Sequence, residues 1–299
     1  MSFLGRLLAR IPYRWLSAFG ALVGSLVWVL GIRRRVVLEN LRLAFPERSE
    51  VERRDIARRT YRNLGQMIPD FVRLPFLPRS ELERIFVYDG WEKFEEAKAR
   101  GKGVIAATAH FGNFEVLAAA HTLRGTPVTM ISRKMGKSGA NDLWRALRRR
   151  SGVEDLVVAK GSTLAAAVRA IRAGRFLGYV IDQNQALRHA VFPTFFGVAA
   201  ATAPTPAVLA MRSGAAVIFV VSYPLGDGRH RVVFEGPLEP PDTGDRERDV
   251  LVFMQDLNDR LERWVRLHPE QWYWLHRRWK TRPAEPAPAA HDANAGAAG

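Results

Sequence analysis

Cysteine is absent from the chain, which excludes disulfides, thiolate catalysis and cysteine-based zinc or iron–sulfur sites. Acidic residues are also outnumbered, because 45 lysines and arginines stand against 30 aspartates and glutamates and give a formal charge of +15. Such an excess implies anionic partners: nucleic acid, anionic lipid, phosphorylated substrates or acidic carrier proteins. The sequence has no zinc-finger or RNP1 pattern, so we expect no nucleic-acid partner.

One uncharged run interrupts this basic background, and it reads WLSAFGALVGSLVWVLGI from Trp15 to Ile32. Its length is just enough to span or deeply enter a bilayer. Arginines flank both ends, so charge alone leaves the orientation open. The three arginines that follow the run argue against a cleaved signal peptide. The run predicts a membrane anchor over residues 1–35, with a buried core helix as the alternative.

Residues 36–283 carry the patterns of a folded domain, and 47% of the whole chain is apolar, enough for a sizeable core. Ser49 and Glu52 form the S-x-x-E signature of a helix start. From Gly103 onwards strand-like and helix-like segments alternate, which predicts an α/β sheet with helices on both faces. The predicted strands are Val104–Ala109, Pro127–Ser132, Leu156–Ala159, Phe176–Ile181, Ala215–Ser222 and Arg231–Glu235. The predicted helices are Phe114–Leu123, Asn141–Arg150, Thr163–Ala173, Pro206–Arg212 and Val250–Leu267. Residues 284–299 are rich in alanine and proline and predict a disordered tail.

The segment AHFGNFEV carries the sharpest chemical signal, because His110 follows an apolar strand and Glu115 begins the next helix. Residues five apart on one helix differ by about 140° in direction, so the two side chains meet only if His110 lies in the preceding loop. The pattern predicts that Glu115 hydrogen-bonds one imidazole nitrogen while the other accepts a proton. The alternative is a turn-capping histidine and a glutamate favoured by the helix dipole. No serine or cysteine suited to act as a nucleophile sits beside His110.

Three further motifs follow in order: DQNQ, VFPTFFGVAAAT and PEQWYWLHRRWKTRP. Together with HFGNFE they make the chain resemble the lipid A biosynthesis lauroyl/myristoyl acyltransferase family, which is related to the glycerolipid and phosphatidylinositol mannoside acyltransferases. The resemblance covers nearly the whole chain, from the N-terminal apolar run to Pro283. It implies a glycerolipid-acyltransferase-like α/β sheet flanked by helices, with an N-terminal membrane-anchoring helix.

The resemblance also implies roles for single residues. His110 would be the general base and Glu115 its partner. Arg145 and Arg149 stay open as alternatives to two arginines of the implied substrate-binding set. That set consists of Asn113, Arg148, Arg150, Asp182, Gln183, Phe196, Thr202, His276 and Arg277.

The implied reaction is acyl transfer from acyl-acyl carrier protein, or from acyl-CoA, to a hydroxyl of a phosphorylated glycolipid, a lipid A precursor. It needs no metal and no cofactor. The implied location is a bacterial inner membrane, with the catalytic domain facing the cytoplasm. Another lipid acceptor (a lysophospholipid, a phosphatidylinositol mannoside or an aminolipid) stays open, because DQNQ and Arg133-Lys134 depart from the family's D-Q-D-x-G and R-P. A non-catalytic protein that binds anionic lipid or nucleic acid is the rival from another class, and the intact H-x4-E pattern argues against it.

Overall fold

The computed structural model describes residues 2–126, 128–133, 139–158 and 163–283, so the predicted tail 284–299 lies outside the described residues. The α-helices, in chain order, are α1 (Ser2–Arg10), α2 (Tyr13–Val29), α3 (Arg34–Ala44), α4 (Glu50–Arg73), α5 (Arg79–Ile85), α6 (Trp91–Ala99), α7 (Phe114–Leu123), α8 (Gly139–Arg150), α9 (Thr163–Arg172), α10 (Thr205–Ser213) and α11 (Arg246–Leu267). Short 3₁₀ turns occur at Leu74–Phe76, Leu187–His189 and Pro269–Gln271.

The strands are β1 (Phe86–Asp89), β2 (Val104–Thr108), β3 (Val128–Arg133), β4 (Val153–Val158), β5 (Phe176–Val180), β6 (Thr194–Phe195), β7 (Val198–Ala199), β8 (Ala216–Pro224) and β9 (His230–Leu238). Seven of them form one sheet in the order β1-β9-β8-β2-β5-β3-β4, while β6 and β7 pair as a small antiparallel hairpin. Neighbours in the large sheet are parallel except β8 and β9, which run antiparallel.

The sheet is buried on both faces, as β2 at its centre shows. Ile105 and Ala107 belong to a core cluster that includes residues of α9, α10 and α11. Val104 and Ala106 point the other way, into a cluster with residues of α6 and α7. Alternate residues of a strand face opposite sides, so a central parallel strand must be apolar throughout. The predicted α/β sheet flanked by helices is confirmed.

Element boundaries agree closely with the prediction in this part of the chain. Helix α7 has the predicted bounds, and the ends of β2, β3, β5 and β8 shift by one or two residues at most. Strand β4 begins three residues early, at Val153, and β9 ends three residues late, at Leu238. Pro127 and Ala159, at the ends of two predicted strands, lie outside the described residues. Ser49 and Glu52 form the reciprocal capping box at the start of α4, as predicted.

Helix α2, which holds most of the uncharged run, packs one face closely against α4. A Cβ added at Gly24 would lie 2.0 Å from the carbonyl oxygen of Tyr61, and one at Gly65 would lie 2.0 Å from that of Gly20. Glycine is therefore required on both helices, because their backbones touch. The opposite face of α2 is exposed and apolar, with Trp15, Phe19, Leu22, Leu26 and Val29 all more than half exposed.

Within the described ranges, no single helix is long and apolar enough to cross a membrane. Helices α2 and α3 reach that length and composition only as a pair, and a bend of 91° separates them. The expected single anchoring helix is therefore not shown, and anchoring through residues 1–35 stays a prediction.

Candidate active site

His110 lies in the loop between β2 and α7, as the sequence predicts. The loop turns at Gly112, whose φ of +53° lies in the left-handed region. A Cβ at Gly112 would lie 1.8 Å from the carbonyl oxygen of Ser222, so any side chain would push the loop away from β8. Phe111 forms a β-bridge with Trp272, and the Tyr273 N–H donates to the His110 carbonyl at 3.0 Å. The C-terminal segment, residues 268–283, therefore fixes the backbone of the histidine loop from outside the sheet.

A second polar residue reaches the same edge of the sheet from the neighbouring strand. Asp182 follows β5, which runs parallel to β2, so the carboxyl ends of both strands meet there. Its Oδ1 lies 2.8 Å from His110 Nδ1, and its Oδ2 accepts the His110 backbone N–H at 2.9 Å. The Trp272 indole N–H also donates to Oδ2, at 2.8 Å. Three donors therefore hold one carboxylate in place.

This arrangement fixes both the charge and the tautomer of the pair. Burial opposes the imidazolium, but the negative charge of Asp182 and its hydrogen bond outweigh burial and raise the pKa of His110. Burial also opposes the Asp182 carboxylate, while His110 and Trp272 counteract it and lower the pKa of that group. An ionised acceptor at Nδ1 requires that Nδ1 carry the proton of the neutral ring. His110 Nε2 is then the free base.

The predicted hydrogen bond from Glu115 to the imidazole is wrong, because Asp182 takes that place. Glu115 is buried and forms a bidentate pair with Arg148, with Nε–Oε2 at 2.8 Å and Nη2–Oε1 at 2.6 Å. The indole N–H of Trp144 donates to Glu115 Oε1 at 3.2 Å. Glu115 therefore ties α7 to α8, and it acts on His110 only through its charge, which helps to raise the pKa of the imidazole.

His110 borders a cavity of about 510 Å³ between the N-terminal helices and the edge of the sheet. Its other walls are mostly apolar and come from α2, α4, α7, α8 and the segment around Tyr273. Val23 and Ile68 line it and are also exposed, so it opens beside the exposed apolar face of α2. The remaining lining residues are Gly24, Val27, Tyr61, Leu64, Gly65, Met67, Phe71, Asn113, Phe114, Glu115, Trp144, Gln183, Tyr273 and Leu275.

Two more predicted substrate-binding residues belong to this cavity. The amide nitrogen of Gln183 lies 3.4 Å from His110 Nε2. Asn113 is buried and donates to the Met67 carbonyl at 3.3 Å, while its Oδ1 has no hydrogen-bond partner among the described residues.

The structure places other predicted residues outside the cavity. Thr202 is fully buried and accepts a hydrogen bond from Arg278, so it holds the C-terminal segment. Phe196 packs in the core against Phe45 and Trp274. Arg150 donates to the Pro75 carbonyl and stacks on Phe76, at the far end of α8.

His276 and Arg277 line a separate cleft that adjoins the cavity, with His276 accepting the Asn184 N–H at 2.8 Å. Sequence reasoning assigned them to substrate binding, and this neighbouring position leaves that assignment a prediction. It missed the part played by Trp272, whose indole holds the Asp182 carboxylate. The sequence signal that could have indicated this role is the density of aromatic residues in the C-terminal motif PEQWYWLHRRWKTRP.

Comparison with known proteins identifies the family of the chain. The model of the bacterial lipid A biosynthesis acyltransferase family matches residues 1–281. The lipid A biosynthesis lauroyltransferase of Escherichia coli K12 is 28% identical over 287 residues, covering 93% of this chain and 89% of the relative. The palmitoleoyltransferase of the same organism is 26% identical, with 92% and 88% covered, and its myristoyltransferase is 27% identical, with 85% and 78% covered. This chain is therefore an acyltransferase that belongs to the bacterial lipid A biosynthesis acyltransferase family.

Proposed function

We propose that the enzyme transfers a fatty acyl chain from acyl-acyl carrier protein to a hydroxyl of a lipid A precursor. Acyl-CoA is the alternative donor. The observation that carries the proposal is the His110–Asp182 pair, whose histidine lies on the wall of an apolar cavity that opens beside the exposed face of α2. Such a cavity suits an acyl chain, since binding sites of this size are mostly apolar with a few placed polar groups.

The proposed reaction uses His110 twice. Its Nε2 accepts the proton of the acceptor hydroxyl while the hydroxyl oxygen attacks the thioester carbonyl carbon. This attack forms the C–O bond of the new ester and gives a tetrahedral intermediate. When the tetrahedral intermediate collapses, the C–S bond breaks and the imidazolium returns the proton to the thiolate. Asp182 stabilises the imidazolium between these steps, because its carboxylate lies 2.8 Å from Nδ1. General base catalysis of this kind contributes typically ~10²–10⁴-fold.

The negative charge that develops on the thioester oxygen needs donors nearby. Helix α7 begins at the cavity, with Asn113, Phe114 and Glu115 in the wall. The first N–H groups of a helix have no acceptor within the helix, and the helix dipole favours negative charge at that end. We assign oxyanion stabilisation to this end of α7, as preorganised backbone donors are well suited to it.

Glu115 is a positioning residue in this proposal. Its bidentate pair with Arg148 fixes α8 against the start of α7, and Trp144 adds a further hydrogen bond. Phe71 packs on Trp144 with ring centroids 4.1 Å apart, so α4 joins the same wall. Loss of Glu115 would therefore loosen the cavity around the acyl chain rather than remove the base.

The proposed location is the cytoplasmic face of the bacterial inner membrane. Support comes from α2, which buries a small-residue face against α4 and leaves a row of large apolar side chains exposed. A helix with one apolar exposed face lies readily in the headgroup–acyl boundary of a bilayer. The cavity opens beside that face, so a membrane-embedded acceptor could reach His110 without leaving the lipid.

The test is a matrix of donors and acceptors with purified enzyme. Acyl-acyl carrier protein and acyl-CoA are each paired with a lipid A precursor, a lysophospholipid and a phosphatidylinositol mannoside, and kcat/KM is measured for each pair. The proposal predicts the highest value for acyl-acyl carrier protein with the lipid A precursor. A higher value for a lysophospholipid would move the enzyme to another acceptor class.

A further inference from the structure

A basic cleft lies beside the catalytic cavity and has no part in the chemistry described so far. It is open, encloses about 660 Å³, and is lined by Arg33, Val36, Asn184, His276, Arg277 and Lys280. Arg33, Arg277 and Lys280 are exposed at its rim. Within the described ranges none of these three cations forms an ion pair with a carboxylate. An anion is therefore the ligand class that such a cleft would take.

Hydrogen bonds hold the residues that line the cleft in place. Asn184 Nδ2 donates to Thr281 Oγ1 at 3.0 Å, and the Thr281 N–H donates back to Asn184 Oδ1 at 3.0 Å. The Asn184 N–H donates to His276 Nε2 at 2.8 Å, which needs a neutral ring. Burial lowers the pKa of His276 and so favours that neutral form. These bonds hold the loop after β5 against the C-terminal segment that carries two of the cations.

Arg33 enters the cleft from the bend between α2 and α3. Its φ of +55° and ψ of +11° place it in the left-handed region, which is uncommon for any residue other than glycine. Such backbone strain persists only where the surroundings determine it, and it concentrates at functional sites. Its Nη1 donates to the Leu275 carbonyl at 3.3 Å, so the guanidinium lies against the same C-terminal segment.

The cleft and the catalytic cavity share a wall. Gln183 and Leu275 line the cavity, while their direct neighbours Asn184 and His276 line the cleft. The amide of Gln183 lies 3.4 Å from His110 Nε2. A molecule whose hydroxyl reaches His110 can therefore place a nearby anionic group among the three cations. The exposed apolar residues Leu30 and Ile32 lie just before Arg33 in the chain, so the cleft borders an exposed apolar surface.

We infer that Arg33, Arg277 and Lys280 form a binding site for a phosphate group of a substrate, and this inference rests on the proposed function. Arginine suits phosphate because its planar fork donates two parallel hydrogen bonds. The phosphate can come from the sugar of the glycolipid acceptor or from the pantetheine arm of the donor. Phosphate chemistry is common to both sources, and kinetics separates them.

The experiment compares the wild type with Arg33→Gln, Arg277→Gln, Lys280→Gln and the triple variant. The matched control is Arg35→Gln, at the same bend, because Arg35 is 91% exposed, pairs with Glu39 and does not line the cleft. Each protein transfers acyl chains to a bisphosphorylated lipid A precursor and to its dephosphorylated form. Each single variant should raise KM for the phosphorylated acceptor roughly fivefold, as expected for a partly exposed charge pair. KM for the dephosphorylated acceptor should stay at the wild-type value in every variant. Arg35→Gln should keep the wild-type KM for both acceptors.

Donor dependence gives the second arm. A rise in KM for acyl-acyl carrier protein, with KM for the acceptor unchanged, would assign the phosphate to the donor. Unchanged KM for both substrates in the triple variant would overturn the site. A third arm needs no turnover. The wild type and Arg35→Gln should broaden the ³¹P signal of glucosamine 1-phosphate, and the triple variant should not. If the wild type broadens this signal but acylates no phosphoglycolipid, the proposed function fails while the phosphate site stands.

Discussion

Replacing Asp182 with asparagine tests the central geometry of the site most sharply. The carboxylate accepts hydrogen bonds from Nδ1 of the His110 ring, the backbone N–H of the same residue and the Trp272 indole. In Asp182→Asn the side-chain volume hardly changes, but an amide can present its NH₂ group to Nδ1. The ring would then carry its proton on Nε2, and the free base in the cavity would be lost. The general-base contribution of ~10²–10⁴-fold in kcat should disappear with it.

The same substitution should move the pH profile in a defined direction. In the wild type the charge of Asp182 raises the pKa of His110 above its ordinary value of 6.5, although burial opposes this. Only the neutral ring accepts a proton, so kcat/KM should rise with pH through that raised pKa. Without the carboxylate, burial prevails and lowers the pKa. The activity that remains comes from the minority of rings whose Nε2 is still unprotonated, so its acid limb should move to lower pH.

The assay is acyl transfer followed by mass spectrometry across pH 5 to 9. The matched control is Asp70→Asn, because Asp70 forms another buried contact with a histidine, His230, at 3.3 Å and does not line the cavity. That control should lower thermal stability without shifting the acid limb. Near-normal kcat in Asp182→Asn, or an acid limb that stays in place, would refute the assignment of Asp182 as the partner of His110.

Three further outcomes follow from the packing. Glu115→Gln should lower the free energy of unfolding by up to about 3 kcal/mol, because the largely buried Arg148 loses its carboxylate partner. Thermal denaturation measures this loss of stability. An added Arg148→Met substitution should recover part of it. Gly24→Val should cost about 1–3 kcal/mol on chemical denaturation, since its Cβ would meet the backbone of α4. Leu22→Ser with Leu26→Ser should weaken sedimentation with lipid vesicles by at least about tenfold, because two exposed apolar side chains are removed from the face that would enter the bilayer. Unchanged sedimentation would exclude this face as the contact.

Hydrophobic periodicity and short apolar runs in the sequence predicted the central part of the fold well. Strands such as β2 and β8 are apolar along their length because both faces of the sheet are covered, and this signal is visible in the sequence. The arrangement of α2 could not be predicted in the same way. Its composition suits a membrane span, and only the contact of Gly20 and Gly24 with α4 shows that one face packs within the protein.

The active site likewise has one part that the local sequence predicts and one part that it does not. The turn at Gly112 and the position of His110 follow from local sequence, because strand, turn and helix are contiguous. The partner of His110 does not, since Asp182 lies 72 residues away and reaches the ring only through the parallel pairing of β2 with β5. Spacing alone favoured Glu115, which is nearer in sequence but has its carboxylate turned towards Arg148.

The measurement that tests the proposed mechanism most directly is acyl transfer by purified His110→Ala beside the wild type. Both proteins receive acyl-acyl carrier protein and a lipid A precursor, and mass spectrometry counts acceptor molecules that have gained one acyl chain. Circular dichroism and thermal denaturation establish that the variant is folded. We predict that the wild type forms the acylated product and that His110→Ala loses ~10²–10⁴-fold in kcat. A folded His110→Ala protein that acylates the precursor at near wild-type rate would contradict the assignment of His110 as the base.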